Sequence, residues 1–461
     1  MTSTLIAILS LTVLGIPIAL SVDRNSRGPM IIGTSFLYGS GAMFLVLLTL
    51  SIAHIRWTLI SVSVTALAIF CAAALIAGRQ PATGDRQHPV RPHVLDVFTI
   101  VSIAGYALFA TLVPLWEWDF WAIWGLKAKV FLEAGAIDWR LLQSHWNTFL
   151  HPDYPLLVPL NFDFVALAGG WNDRWLGLLF VAWGLALLLI LRAMAAREMT
   201  PFYASLLTLG LAGVAVSTNV GLAEGALIAF SSAGVLFVRT GLLDDDAAAW
   251  RNGALMLGFA ANCKNEGMAL LVAVTLAMLA VSWFRGLAVS QENQTSRPRN
   301  RPTARLLRLW PAYALAAPWL VLRATRALAT DIAGGSALVR LMARLPHAHQ
   351  ILFYLAAKLY KPWFWVAILA GILIAPAAAR RREAFVLLVT AIQLVFFAGA
   401  YFVTPHDIRW HVQTSWPRLT GQIAVPIAFV VFLMLANSLR GGEDAPHDEA
   451  TRPAVPARSD Q

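Results

Sequence analysis

Apolar runs of about 20 residues recur along the whole of this chain, and no other feature limits its fold as strictly. A run of that length is what an α-helix needs to cross a hydrocarbon core about 30 Å thick, where every backbone polar group must be satisfied within the segment. The clearest runs lie at 4–22, 30–53, 58–77, 95–115, 175–192, 202–218, 222–238, 252–284, 309–323, 362–379, 384–403 and 421–437. They predict an all-α polytopic membrane protein with about 12 or 13 transmembrane helices. A transmembrane β-barrel is excluded, because its strands alternate in polarity and are short. With 58% hydrophobic and 13% charged residues in 461, against roughly 25% charged in ordinary soluble domains, a soluble enzyme is excluded too. The first run is too long for the core of a signal peptide and reads as a retained helix. Cys71 and Cys263 stand far apart in apolar segments and imply neither a disulfide framework nor a metal finger.

The net charge of +10 invites a nucleic-acid reading, and the positions of the charges decide against it. Basic segments occur at Arg79, Arg86 and Arg91, at Arg192 and Arg197, at Arg285, Arg297, Arg299, Arg301, Arg305 and Arg308, and at Arg380, Arg381 and Arg382. All four fall on one side of the membrane if the stretch 156–170 lies at the outer surface as a juxtamembrane helix and does not cross. By the positive-inside rule that side is cytoplasmic, and no nucleic acid is needed to explain the charge. The outer face then receives three loops, 116–174, 324–361 and 404–420. The first is the longest and holds six of the 18 tryptophans within 31 residues, where an even spread would place about one. Indoles favour the headgroup boundary, so this loop is expected to lie on the membrane lipids as amphipathic helices. No repeat or soluble domain interrupts the membrane domain 1–437, and the polar tail 438–461 is expected to be disordered in the cytoplasm.

Ionisable residues at membrane depth are expensive, which makes their positions informative. Asp119 follows the end of a helix and precedes an apolar stretch containing Trp121, Trp124 and Lys127. It is either the N-cap of an interfacial helix or a carboxylate made more basic by its apolar surroundings and suited to accept a proton from a hydroxyl. At His151-Pro152-Asp153-Tyr154-Pro155-Leu156 two prolines hold Asp153 and Tyr154 at a rigid corner, as a simple turn or as part of a pocket shared with Asp119. Asn262-Cys263-Lys264-Asn265-Glu266-Gly267 lies within a run of 33 residues, about 50 Å as a straight helix, so a break is expected there. Lys264 and Glu266 would pair at that break or line a cavity. His406, Arg409, His411 and Arg418 form the last outer group. The arginines either snorkel to lipid phosphates or hold a ligand phosphate in bidentate fashion. The histidines offer hydrogen bonds or, with no recognised ligand spacing, a metal contact.

Taken in order, these motifs resemble the polytopic GT-C glycosyltransferases, in particular bacterial relatives of the protein O-mannosyltransferases and of the lipid A aminoarabinose transferases. Trp118-Asp119 with Trp124-Gly125-Leu126-Lys127-Ala128-Lys129 is similar to the acidic motif that opens the family's first large periplasmic loop. The His151 to Leu156 segment is similar to the acidic and proline motif that closes it. Lys264-Asn265-Glu266-Gly267 resembles a helix break later in the chain, and Arg418-Leu419 with Gln422 resembles the last basic motif. The closing motif here has Tyr154 where the family has a lysine, so contact with a phosphate falls to Lys264, Arg409 or Arg418. The resemblance implies a GT-C-like bundle in the bacterial cytoplasmic membrane with its site facing the periplasm. It also implies transfer of a sugar from a polyprenyl-phosphate donor to a hydroxyl of a lipid, glycan or protein acceptor, with inversion. Asp119 would be the base, with Asp153 orienting the acceptor or replacing it, and Trp121, Trp124 and Tyr154 would stack on sugars. No cofactor is demanded, and a divalent metal is left open. The alternatives are a transporter or flippase of a lipid-linked or small polar substrate, and a non-catalytic subunit of a membrane assembly.

Overall fold

Every described apolar run is helical, and there is no strand among the described residues. The structure, a computed structural model, describes residues 1–79, 89–216, 221–289, 302–330, 336–359 and 361–440. Arg86, Arg297, Arg299, Arg301 and the expected tail beyond residue 440 lie outside them. Four long helices come first: α1 (Thr2–Val22), α2 (Gly28–Ile52), α3 (Leu59–Arg79) and α4 (Val94–Leu112). The first large connection follows. It contains a π-helix (Phe120–Trp124), α5 (Gly125–Ala134), α6 (Trp139–Gln143), a 3-10 segment (His145–Leu150) and α7 (Leu157–Gly169). Next are α8 (Leu178–Glu198), α9 (Pro201–Ala215), α10 (Glu224–Asp244), α11 (Ala247–Ala261), α12 (Asn265–Val289), α13 (Pro302–Leu307) and α14 (Trp310–Thr325). The last third holds α15 (Ala337–Arg344), α16 (Ala348–Ala357), α17 (Pro362–Ile374), α18 (Ala377–Arg382), α19 (Ala384–Val403), α20 (Ile408–Gln422) and α21 (Ala424–Arg440).

Among the described residues, eight helices are long and apolar enough to cross a bilayer, and up to ten if each of two bent pairs counts as one span. The chain is therefore a polytopic all-α protein of membrane type. The remaining expected spans are present as shorter helices. α9 and α11 have 15 residues each and α14 has 16. The run expected at 362–379 stops at Ile374 because Pro376 cannot continue the helix.

Two segments depart from expectation. The stretch 404–420 is not a loop, because α20 occupies it from Ile408, capped by the Asp407 carboxylate on the Trp410 N–H at 2.8 Å. α20 meets α21 at a 46° bend, where Pro426 has no N–H to offer the carbonyl of Gln422. α7 is too short to span, as expected, yet it does not lie on the surface. Every residue from Leu157 to Ala166 is buried, and the helix is wedged against α1, α2 and α5. Its polar Asn161 is accommodated by bonds to Ser40 and to the Leu157 carbonyl, while Trp183 donates to the Ser40 hydroxyl.

The described basic segments collect at one end of the bundle. Arg192 pairs with Asp96 at 3.0 Å and donates to the Arg91 carbonyl. Arg382 pairs with Glu198, Arg308 with Asp245 and Arg197 with Asp244. α10 ends here at Asp244 and begins at Glu224, roughly 30 Å away along its axis. At that opposite end lies the large connection, where Trp116, Trp118, Trp121 and Trp146 are all more than half exposed, as residues facing lipid headgroups would be.

Candidate functional site

Four separate parts of the chain meet at the end of the bundle away from the arginine clusters. The first is the start of the large connection. Asp119 stands at the head of the π-helix, but its side chain makes no capping bond there. Its Oδ2 instead accepts from Nη2 of Arg418, 2.6 Å away on α20. The second is the first turn of α10, where Glu224 is buried. A single oxygen of this carboxylate, Oε1, accepts from Arg418 Nε at 3.0 Å, Arg418 Nη2 at 2.8 Å and Lys264 Nζ at 2.9 Å. The third is the break between α11 and α12, where Lys264 also pairs with Glu266 at 2.9 Å. The fourth is α20, through Arg418.

The result is a chain of alternating charge, Asp119–Arg418–Glu224–Lys264–Glu266, with three carboxylates to two cations. It deepens along its length. Asp119 and Arg418 are 20% and 22% exposed, whereas Glu224 and Lys264 are 5% and 6% exposed. A buried cation without a partner is strongly disfavoured, and here each is held by two carboxylates.

Two glycines permit this convergence. A Cβ on Gly267 would stand 2.0 Å from the carbonyl oxygen of Ala260, so only glycine lets α12 fold back against the end of α11. Gly221 has φ +111° and would press a Cβ to 2.9 Å from Phe120, which brings the start of α10 against the π-helix. The break is further tied to α7, because the Leu157 N–H donates to the Asn262 carbonyl at 3.0 Å.

Asp153 belongs to the same region but faces another way. It is buried, and its Oδ2 accepts from Asn265 Nδ2 at 2.9 Å with Arg323 Nη2 at 3.8 Å. Trp319 donates to its backbone carbonyl. Beside it the Tyr154 ring stacks with those of Trp124 and His151, and Lys264 Nζ stands 5.8 Å from the Tyr154 ring centre. Lys264 and its neighbour Asn265 therefore join the Asp119 and Asp153 regions.

Trp124 and Lys127 are wholly buried, so they form the wall of the site and offer no open face to a ligand. Lys127 Nζ donates to the His151 carbonyl at 2.7 Å and stands 5.5 Å from the Trp124 ring centre. Burial lowers the affinity of this amine for its proton to a pKa of about 7, against the opposing pull of Asp153. Trp121 is exposed and donates to the Leu115 carbonyl.

The structure does not bring His406, Arg409 and His411 into the charge network. They sit on or just before the first turn of α20, about 10 Å or more along the helix from Arg418. His406 and His411 pack edge to face at 5.4 Å, His411 lies against Tyr401, and Arg409 is exposed. Among the described residues no group of three or more His, Cys, Asp or Glu is arranged to hold a metal ion.

Sequence reasoning missed Glu224, Asn265 and Arg323. Glu224 was visible as a carboxylate inside the apolar run 222–238, a position at which an ionisable group marks function. The chain matches no protein-family model, no curated protein and no solved structure.

Proposed function

We propose that the chain is a membrane glycosyltransferase that moves a sugar from a polyprenyl-phosphate carrier to a hydroxyl of a lipid, glycan or protein acceptor. The observation that carries this reading is the Asp119–Arg418–Glu224–Lys264–Glu266 network, which joins residues far apart in sequence at one end of the bundle. With the arginine clusters in the cytoplasm of a bacterial cell, the network faces the outside of the cytoplasmic membrane, where a lipid-linked donor presents its headgroup.

Arg418 is partly exposed, and its Nη1 makes no hydrogen bond within the protein. With Lys264 it neutralises the charge that grows on the prenyl phosphate as the bond from the anomeric carbon to the phosphate oxygen breaks. Asp119 takes the acceptor proton as the acceptor oxygen attacks the opposite face, which inverts the anomeric carbon. A phosphate drawing on Arg418 loosens its pair with Asp119 and frees that carboxylate to act as a base. Asp153, being buried and held by Asn265, acts as a positioning residue for the wall that contains Tyr154.

The test is incubation of the purified protein with radiolabelled polyprenyl-phosphate sugars, following label into lipid and polysaccharide fractions. Asp119→Asn is expected to lower transfer by about 10²- to 10⁴-fold with membrane insertion intact, and near-normal turnover removes Asp119 as the base. The helix break at Asn262–Lys264 also suits a transporter or flippase. That reading predicts movement of the carrier across proteoliposomes with no transfer of label.

A further inference from the structure

The carboxylates of the site are used unevenly. Glu224 Oε1 receives three N–H groups, while Glu224 Oε2 is buried with no hydrogen-bond partner. Glu266 repeats the pattern, with Oε1 on Lys264 and Oε2 buried and unpartnered. Both carboxylates therefore sit on the same ammonium, and each keeps one oxygen unused. A carboxylate has about four acceptor positions, and a buried oxygen that satisfies none of them is costly unless a donor is brought to it.

We propose that Glu224 and Glu266 form a sugar-reading subsite whose free oxygens accept hydrogen bonds from hydroxyl groups of the transferred sugar. The inference rests on the donor reading above and adds the identity of the substrate class. The network deepens from Asp119 and Arg418 to Glu224 and Lys264, so a headgroup that reaches Arg418 with its phosphate meets Glu224 with the sugar attached to that phosphate. Three carboxylates against two cations leave the site with a formal excess of negative charge. Such a site favours groups that donate hydrogen bonds and repels a further carboxylate. The substrate class is a neutral, hydroxyl-bearing hexose, and a hexuronic acid on the same carrier is disfavoured.

The experiment uses the full chain in nanodiscs and three ligands: a short-chain polyprenyl phosphate, the same carrier bearing a neutral hexose, and the same carrier bearing a hexuronic acid. The hexose carrier is expected to bind at least about tenfold more tightly than the bare carrier, as hydrogen bonds to charged groups imply, and the hexuronic acid carrier no more tightly than the bare one. Glu224→Asp keeps the charge that holds Lys264 and Arg418 but withdraws the carboxylate by one methylene. It is expected to reduce the hexose advantage to less than about threefold. An unchanged advantage in Glu224→Asp, or equal binding of the two sugar carriers by the natural protein, overturns the proposal while leaving the donor reading in place. Failure of the bare carrier to bind overturns the donor reading itself. Should Glu224→Asp not fold, the same ratio measured in Glu266→Gln decides, with a loss of about threefold or more expected and no change overturning the subsite.

Discussion

Lys127 shows how a single buried charge leaves a trace in the behaviour of the whole protein. Its folded pKa of about 7 lies well below the usual 10.5 of a lysine, chiefly through burial. Between those two values the unfolded chain holds a proton that the folded chain has released, so stability rises with pH across that window. Below about pH 7 the lysine is charged in both states and the full cost of burying it is present. Melting temperature in detergent is therefore expected to climb between pH 7 and 10, and Lys127→Met is expected to flatten that climb. An equal slope in both proteins contradicts the prediction. Asp119, Lys264, Glu266 and Arg418 were legible as site residues because each is an ionisable group that the apolar pattern and the topology rule leave unexplained. Lys127 was legible as part of the same motif, but not its depth, since burial is set by α7 and the 3-10 segment folding over it. The pairing of Arg418 with Glu224 spans 194 residues, and no local pattern encodes it.

At the level of elements, the break between α11 and α12 followed from length alone, since 33 apolar residues exceed one bilayer. α20 did not, because its polar and aromatic residues carry no clear apolar period, and the helix is held from outside by α15. That short helix is amphipathic. Arg340 donates to the Val403 carbonyl, and Arg344 grips the carbonyls of Tyr401, Thr404 and His406, while Leu338, Val339 and Met342 stay exposed. The two arginines thus fasten the corner between α19 and α20. Arg344→Ala is expected to loosen this corner and to speed tryptic cleavage after the exposed Arg409 several-fold, with little change in global melting. Unaltered cleavage shows that the corner holds without α15.

On the scale of the whole molecule, helix content, apolar runs and the gathering of arginines at one end were all readable, because lipid admits so few solutions. The order in which helices pack was not, since in a bilayer nearly every span is equally apolar. Long-range ion pairs settle part of that order. Arg239 on α10 is 3% exposed and is shared between Glu198 of α8 and Glu383 beside α19. Arg239→Met leaves Glu383 buried without a cation and is expected to cost about 3–5 kcal/mol in a denaturant titration. A loss below about 1 kcal/mol assigns the order of these helices to packing alone. α3 and α4 stand apart from this core, with only 11% of the residues in each span buried. Their outer environment is the bilayer, so the solvent chosen for purification becomes part of their structure. When lipid is exchanged for detergent, amide hydrogens of α3 and α4 are the first expected to exchange, ahead of the more deeply packed α2 and α10.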